Sequence, residues 1–112
     1  EESLAAVEAS YVFCGHVHTP KLYYTGASGK LLQFRPVPGT PIPTARHRRW
    51  HAIVGSAGQP RDGNTAACYL LFDSERERLT FYRVPYDVGS TIRKIRAARL
   101  PERVALRLER GT

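Results

Sequence analysis

The side chains best suited to chemistry in this chain are two histidines separated by one residue, His16 and His18. They follow a short apolar run, residues 11–14, which predicts a buried strand that Gly15 ends. Side chains alternate along an extended backbone, so both imidazoles can point to the same side. Neutral imidazole is the commonest metal ligand near pH 7. The pair therefore predicts a metal site. Two ligands alone do not bind a metal ion tightly, so further ligands are needed.

A Gly-rich polar loop, residues 55–64, contains the next candidate, Arg61. A guanidinium group matches the oxygens of a phosphate, so Arg61 is a candidate substrate-binding residue. The alternative for Arg61 is a structural contact, either an ion pair with Asp62 or a contact with the C-terminus of a strand. Ser56 and Gln59 are expected to shape the loop by bonding backbone amides.

The chain has 17 basic and 10 acidic residues, which gives a net charge of +7. One basic cluster spans residues 46–49, and His47 within it and His51 after it are expected to be solvated. The second cluster lies near the end of the chain and comprises Arg93, Lys94, Arg96, Arg99, Arg103, Arg107 and Arg110. A binding module for nucleic acid or an acidic partner is one interpretation. A solvated helix face is the other, because no aromatic residues alternate with the second cluster.

Short strands and helices must position these candidate residues. Short apolar runs and alternating apolar residues predict strands over residues 11–14, 21–25, 30–35, 50–54, 66–73 and 79–84. Helices are predicted over residues 2–9, over residues 90–99 with Ser90 as N-cap, and from Pro101 onward. Residues 36–43 hold four prolines and are predicted as a loop. The order indicates an α+β fold in which one sheet, mostly antiparallel, is covered by helices.

The remaining composition predicts no transmembrane helix in this chain. No apolar stretch approaches 18 residues, and no basic-then-apolar start resembles a signal peptide. We therefore expect a cytoplasmic protein without membrane association. Cys14 and Cys68 both lie in apolar runs, and we expect them to be free and buried.

Three segments resemble one family. Residues 14–20, Cys-Gly-His-Val-His-Thr-Pro, resemble the last metal-ligand motif of the calcineurin-like metallophosphoesterases. Residues 55–63 resemble the loop that follows it in the small bacterial and archaeal branch. Residues 83–88 resemble that branch's closing strand and the entry to its last helix. The three segments come in the family's order, and the likeness extends over nearly the whole chain.

The resemblance implies a four-layer α/β/β/α sandwich with two mixed sheets inside. It also implies a dinuclear centre in which His16 ligates one divalent ion and His18 the other. Imidazole with carboxylate ligands suits Mn, Fe, Zn or Co. The implied reaction is hydrolysis of a phosphomonoester or phosphodiester bond, by water that the metal ions activate. The implied substrate is nucleotide-type or a phosphoprotein.

The family's earlier motifs are Asp-x-His, Gly-Asp and Gly-Asn-His followed by an acidic residue, and none of them stands in this chain. We therefore expect residues 1–112 to be the C-terminal portion of a single metallophosphoesterase domain, with the N-terminal half of the domain supplying the bridging carboxylates. The chain alone should then be inactive. A partner chain that completes a half-domain is a further alternative.

Overall fold

The computed structural model describes Ala6 and residues 8–112. Most of the helix predicted over residues 2–9 lies outside the described residues. The described elements are β1 (Tyr11–Cys14), β2 (Lys21–Thr25), β3 (Leu31–Phe34), β4 (Ile42–Pro43), β5 (Trp50–Ile53), β6 (Ala67–Asp73), β7 (Arg78–Val84), α1 (Val88–Ala97) and α2 (Glu102–Arg110). The α+β class predicted from the sequence is confirmed.

Four strands form one sheet in the order β1-β5-β2-β3. Strand β5 runs parallel to β1 and antiparallel to β2, and β2 and β3 form an antiparallel hairpin. The register places Cys14 beside Ile53 and Ile53 beside Lys21. The last residues of β1 and β5, the first residue of β2 and the end of β3 therefore meet at one edge of this sheet. We name it the carboxyl edge, because β1 and β5 both end there.

The other three strands form a second sheet in the order β4-β7-β6. Strands β6 and β7 pair along their full length, from Ala67 opposite Val84 to Asp73 opposite Arg78. The short strand β4 lies within the segment predicted as a loop, so that prediction is wrong at Ile42 and Pro43. Proline lacks the N–H that a central strand must donate, and β4 accommodates Pro43 because it is an edge strand.

The main core lies between the two sheets. The four-stranded sheet contributes Leu22, Trp50 and Ala52 to a cluster that the three-stranded sheet completes with Leu79 and Phe81. The expectation of a single sheet is therefore wrong. The alternating pattern of each strand identifies an inward face, but it does not reveal that two separate sheets share that face.

The two helices pack on each other through a smaller cluster of Ile92, Ala105 and Leu108. The N-cap of α1 is Asp87, whose carboxylate accepts a hydrogen bond from the backbone amide of Ser90 at 3.1 Å. Ser90 was predicted as the cap and instead lies inside the first turn. Among the helices of the described residues, none is long and apolar enough to cross a membrane.

Candidate metal site

Two loops leave the carboxyl edge side by side, because β1 and β5 are parallel neighbours. Residues 15–20 follow β1, and residues 54–64 follow β5. The amide of Val54 donates to the carbonyl of Cys14 at 3.1 Å, and the amide of Arg61 donates to the carbonyl of His18 at 3.1 Å. The loops that contain the three predicted site residues are therefore joined by backbone hydrogen bonds. Loops at the ends of parallel strands are a common place for binding sites in open sheets.

The half-buried imidazole of His18 has a fixed orientation. Its Nδ1 lies 2.7 Å from the carbonyl oxygen of Gln59. A carbonyl oxygen can only accept, so Nδ1 donates its hydrogen, and the neutral ring then keeps its lone pair on Nε2. Ligating histidines commonly have this arrangement, with one nitrogen bound to a backbone carbonyl and the other free for the metal. Sequence patterns hold no signal for this contact, since the acceptor belongs to the backbone.

His16 lies at the centre of a tight turn rather than in an extended segment. Its φ is 72°, and the amide of Val17 donates to the carbonyl of Gly15 at 2.9 Å. This hydrogen bond defines a γ-turn, which is rare with a left-handed central residue. The argument that strand alternation aligns the two imidazoles is therefore wrong. His16 is exposed, and its ring has no hydrogen-bond partner within residues 8–112.

Gly55 allows the two loops to approach closely. Its φ is 96°, and a Cβ atom at this position would lie 2.9 Å from both Cys68 Sγ and Pro20 Cγ. Any larger residue would therefore displace Pro20, at the end of the loop of residues 15–20 (the His18 loop), or Cys68 on strand β6. Ser56 has the predicted loop-shaping role, because its hydroxyl accepts a hydrogen bond from the amide of Gln59 at 2.9 Å.

Arg61 does not form the ion pair with Asp62 that was one structural alternative for it. Its Nη2 donates to Gln59 Oε1 at 2.9 Å, whereas Asp62 pairs with Arg83. Arg83 Nη1 lies 2.5 Å from Asp62 Oδ2 and Nη2 lies 3.1 Å from Oδ1. Burial acts to raise the pKa of the Asp62 carboxyl, but the hydrogen bonds and charge of Arg83 outweigh it and hold that pKa below its usual value.

The basic cluster at residues 46–49 is largely occupied by contacts inside the chain. Arg46 forms an ion pair with Glu77, the guanidinium of Arg48 lies 5.3 Å from the centre of the Tyr24 ring, and Arg49 donates to the carbonyl of Ala9. The contact with Glu77 pairs the charge of Arg46, whereas the contacts with the Tyr24 ring and the Ala9 carbonyl do not neutralise a guanidinium group.

The remaining histidines differ from each other. His47 is exposed, as expected, and His51 is half-buried. His51 Nε2 lies 2.9 Å from the Sγ of Cys14. Burial lowers the pKa of His51 below its usual value. Cys14 and Cys68 are both free, with Cys68 buried and Cys14 half-buried.

The described part of the chain contains no group of three or more His, Cys, Asp and Glu side chains that could hold a metal ion. His16 and His18 therefore offer at most part of a ligand set. The chemistry of that part fits a transition-metal ion, because the ring of His18 is half-buried and oriented by Gln59, and its Nε2 makes no hydrogen bond within the described residues.

Comparison with known proteins gave no matching protein-family model. The chain is 34% identical over 100 residues to an uncharacterized protein of Methanocaldococcus jannaschii, an alignment that covers 89% of this chain and 39% of that protein. Its structure is similar to a crystal structure of a metallophosphoesterase from Sphaerobacter thermophilus. The TM-score is 0.83 at 32% identity, over 96% of this chain and 44% of the other.

The chain thus spans less than half the length of each of these two proteins. The similarity to the solved structure includes sequence as well as fold, and it extends over both sheets and both helices because it covers nearly the whole chain. The resemblance that the Gly-His-x-His motif predicted is therefore confirmed: in sequence and in fold, this chain is similar to a portion of a metallophosphoesterase.

Proposed function

We propose that the intact protein containing this chain hydrolyses phosphomonoester or phosphodiester bonds with a dinuclear metal centre, and that His16 and His18 are two of its ligands. The observation that carries the proposal is the hydrogen bond from His18 Nδ1 to the Gln59 carbonyl. This bond leaves the other ring nitrogen, Nε2, available to ligate a metal ion. The similarity to a metallophosphoesterase supports the reaction class.

Each residue of the site has a separate task in this proposal. The Gln59 carbonyl holds the ring of His18 in one orientation for the metal. His16 presents an exposed imidazole from a turn two residues earlier. Arg61 keeps several N–H donors available for a phosphate oxygen, since Gln59 accepts from only one of them. The bound metal ions, drawn from Mn, Fe, Zn or Co, would supply activated water and neutralise charge on the phosphoryl group.

The rest of the ligand set would come from the part of the relatives that this chain does not span. Carboxylates are needed there, because two neighbouring dications repel each other unless anionic ligands lie between them. The 112-residue chain alone should therefore bind metal weakly and hydrolyse nothing.

The proposal is tested by removing one imidazole at a time from the intact protein. We expect His18→Ala and His16→Ala each to lower the bound metal and to reduce hydrolysis of p-nitrophenyl phosphate and its bis-ester by roughly 100-fold or more. Bound metal is measured by mass spectrometry and hydrolysis by the release of nitrophenol.

His47→Ala is the matched control, because it removes an exposed imidazole from a loop outside the candidate site. It should leave both metal content and turnover unchanged. Full metal content and activity in His18→Ala would contradict the assignment, as would a wild-type protein that hydrolyses neither ester with any of the four metals.

A further inference from the structure

A cleft opens at the carboxyl edge beside the His18 loop. One compartment measures about 380 Å³ and a neighbouring one about 250 Å³, and the two share Thr19, Pro20, Arg35 and Asp62 in their walls. The larger compartment is also lined by Lys21, Gln33 and Arg61. Together the two lie within the size range of sites for small molecules rather than for folded proteins.

The larger compartment has a strong excess of positive charge. Lys21, Arg35 and Arg61 line it, and none of them forms an ion pair with a carboxylate of the described residues. The only acidic residue in its wall is Asp62, whose charge is already compensated by the bidentate contact with Arg83. Three uncompensated cations around one concave space favour the binding of a highly charged anion.

The register of the four-stranded sheet explains why these cations converge. Lys21 opens β2 beside the end of β5, and Arg35 directly follows β3, whose last residue pairs with Leu22. Arg61 comes from the loop after β5, and its amide is bonded to the carbonyl of His18. The cleft is therefore built from the same loops and strand ends as the candidate metal site, and Thr19 is the residue next to His18.

We propose that this cleft, through Lys21, Arg35 and Arg61, binds a second phosphate group of the substrate, remote from the bond that is cleaved. The substrate would then be a small molecule with two phosphate groups rather than a phosphoprotein. The assignment to substrate rests on the proposed function. The binding of a phosphate anion by the cleft does not rest on it, because Lys21, Arg35 and Arg61 can attract an anion without a bound metal.

The anion site is tested first without metal, so that the metal centre cannot contribute. We titrate pyrophosphate into the intact protein in EDTA by calorimetry. Arg35→Ala should weaken binding by roughly tenfold, as expected for the loss of one charge-assisted contact. Arg35→Lys keeps the positive charge and should weaken pyrophosphate binding less than Arg35→Ala does. Arg76→Ala, which removes an exposed arginine from the β6–β7 turn, should bind like wild type. Equal affinities for wild type and Arg35→Ala, or no binding by wild type, would overturn the proposal.

The role of the cleft in binding substrate is tested with metal-loaded protein and two compounds that differ by one phosphate group. These are 1,6-hexanediol bisphosphate and 1,6-hexanediol monophosphate. Arg35→Ala should lower kcat/KM for the bisphosphate by about tenfold and leave that for the monophosphate unchanged. Equal losses on both compounds would contradict a second-phosphate site. If neither compound is hydrolysed, the proposed reaction fails, and the metal-free titration still decides whether the cleft binds phosphate.

Discussion

At the scale of single residues, the candidate site combines one oriented imidazole with one in an unusual backbone conformation. His18 is held by the Gln59 carbonyl, while His16 has a φ of 72°. A left-handed conformation at a residue other than glycine costs on the order of 1 kcal/mol and persists where the surroundings enforce it. The γ-turn at His16 is such a strained feature, and it supports the proposal of a site there.

Gly55 is the residue whose replacement should disturb this site without touching a ligand. In Gly55→Ala the new methyl group would lie 2.9 Å from Pro20 Cγ and Cys68 Sγ, and the φ of 96° would be strained. We expect a loss of about 2 kcal/mol in the free energy of unfolding, because overpacking adds to backbone strain. We also expect weaker metal binding, because Pro20 lies two residues after His18. Urea unfolding and metal titration measure the two effects.

Gly58→Ala is the control for this prediction. It adds the same methyl group to the same loop, where nothing lies within 4 Å of the new atom and φ is not left-handed. Its unfolding free energy should change by less than about 0.5 kcal/mol. A Gly55→Ala protein as stable as Gly58→Ala would show that the two loops are not in close contact at Pro20.

At the scale of elements, the strands were largely predictable and the helix start was not. The apolar run at residues 11–14 identifies β1, and apolar residues bounded by turn residues identify β2 and β5 to within a residue. Asp87 and Ser90 are both good capping residues, spaced three apart. Either choice satisfies local rules, and the structure selects Asp87 because its carboxylate accepts from the Ser90 amide.

This N-cap gives a prediction at the element scale. Asp87→Ala should lower the free energy of unfolding by about 1 kcal/mol, because an amide of the first turn of α1 loses its acceptor. Ser90→Ala should cost almost nothing, since alanine is favourable inside a helix. Thermal or urea unfolding followed by circular dichroism compares the two variants. The reverse order of stabilities would restore Ser90 as the cap.

At the scale of the whole molecule, the stability of the sandwich depends on side chains that connect the two sheets. Leu79 on β7 is completely buried against residues of the four-stranded sheet. Leu79→Ala should therefore lower the free energy of unfolding by about 3 kcal/mol, through lost burial and the cavity that remains. Urea unfolding measures the change.

Leu71→Ala removes the same atoms from β6, the neighbour of β7, where the side chain is 57% exposed. It should cost less than about 1 kcal/mol. A similar cost for both substitutions would contradict a core located between the sheets.

The division into two sheets is the part of the fold that local patterns could not predict. A residue such as Phe81 shows the same alternation whether its inward face meets a helix or another sheet. The resemblance to the metallophosphoesterases implied two sheets, and the described residues contain two. The cationic cleft was missed for a related reason: Lys21, Arg35 and Arg61 are far apart in sequence, and only the strand register brings them to one edge.

The two loops at the carboxyl edge are tied together at three points, from Val54 to Cys14, from Arg61 to His18, and from His18 to Gln59. The two loops are therefore joined by hydrogen bonds rather than being independent segments. In the proposed site, a shift of Arg61 toward an anion would pull on the backbone of His18 through the Arg61 amide. We therefore expect metal binding at His18 and anion binding in the cleft to be thermodynamically linked, each changing the affinity for the other.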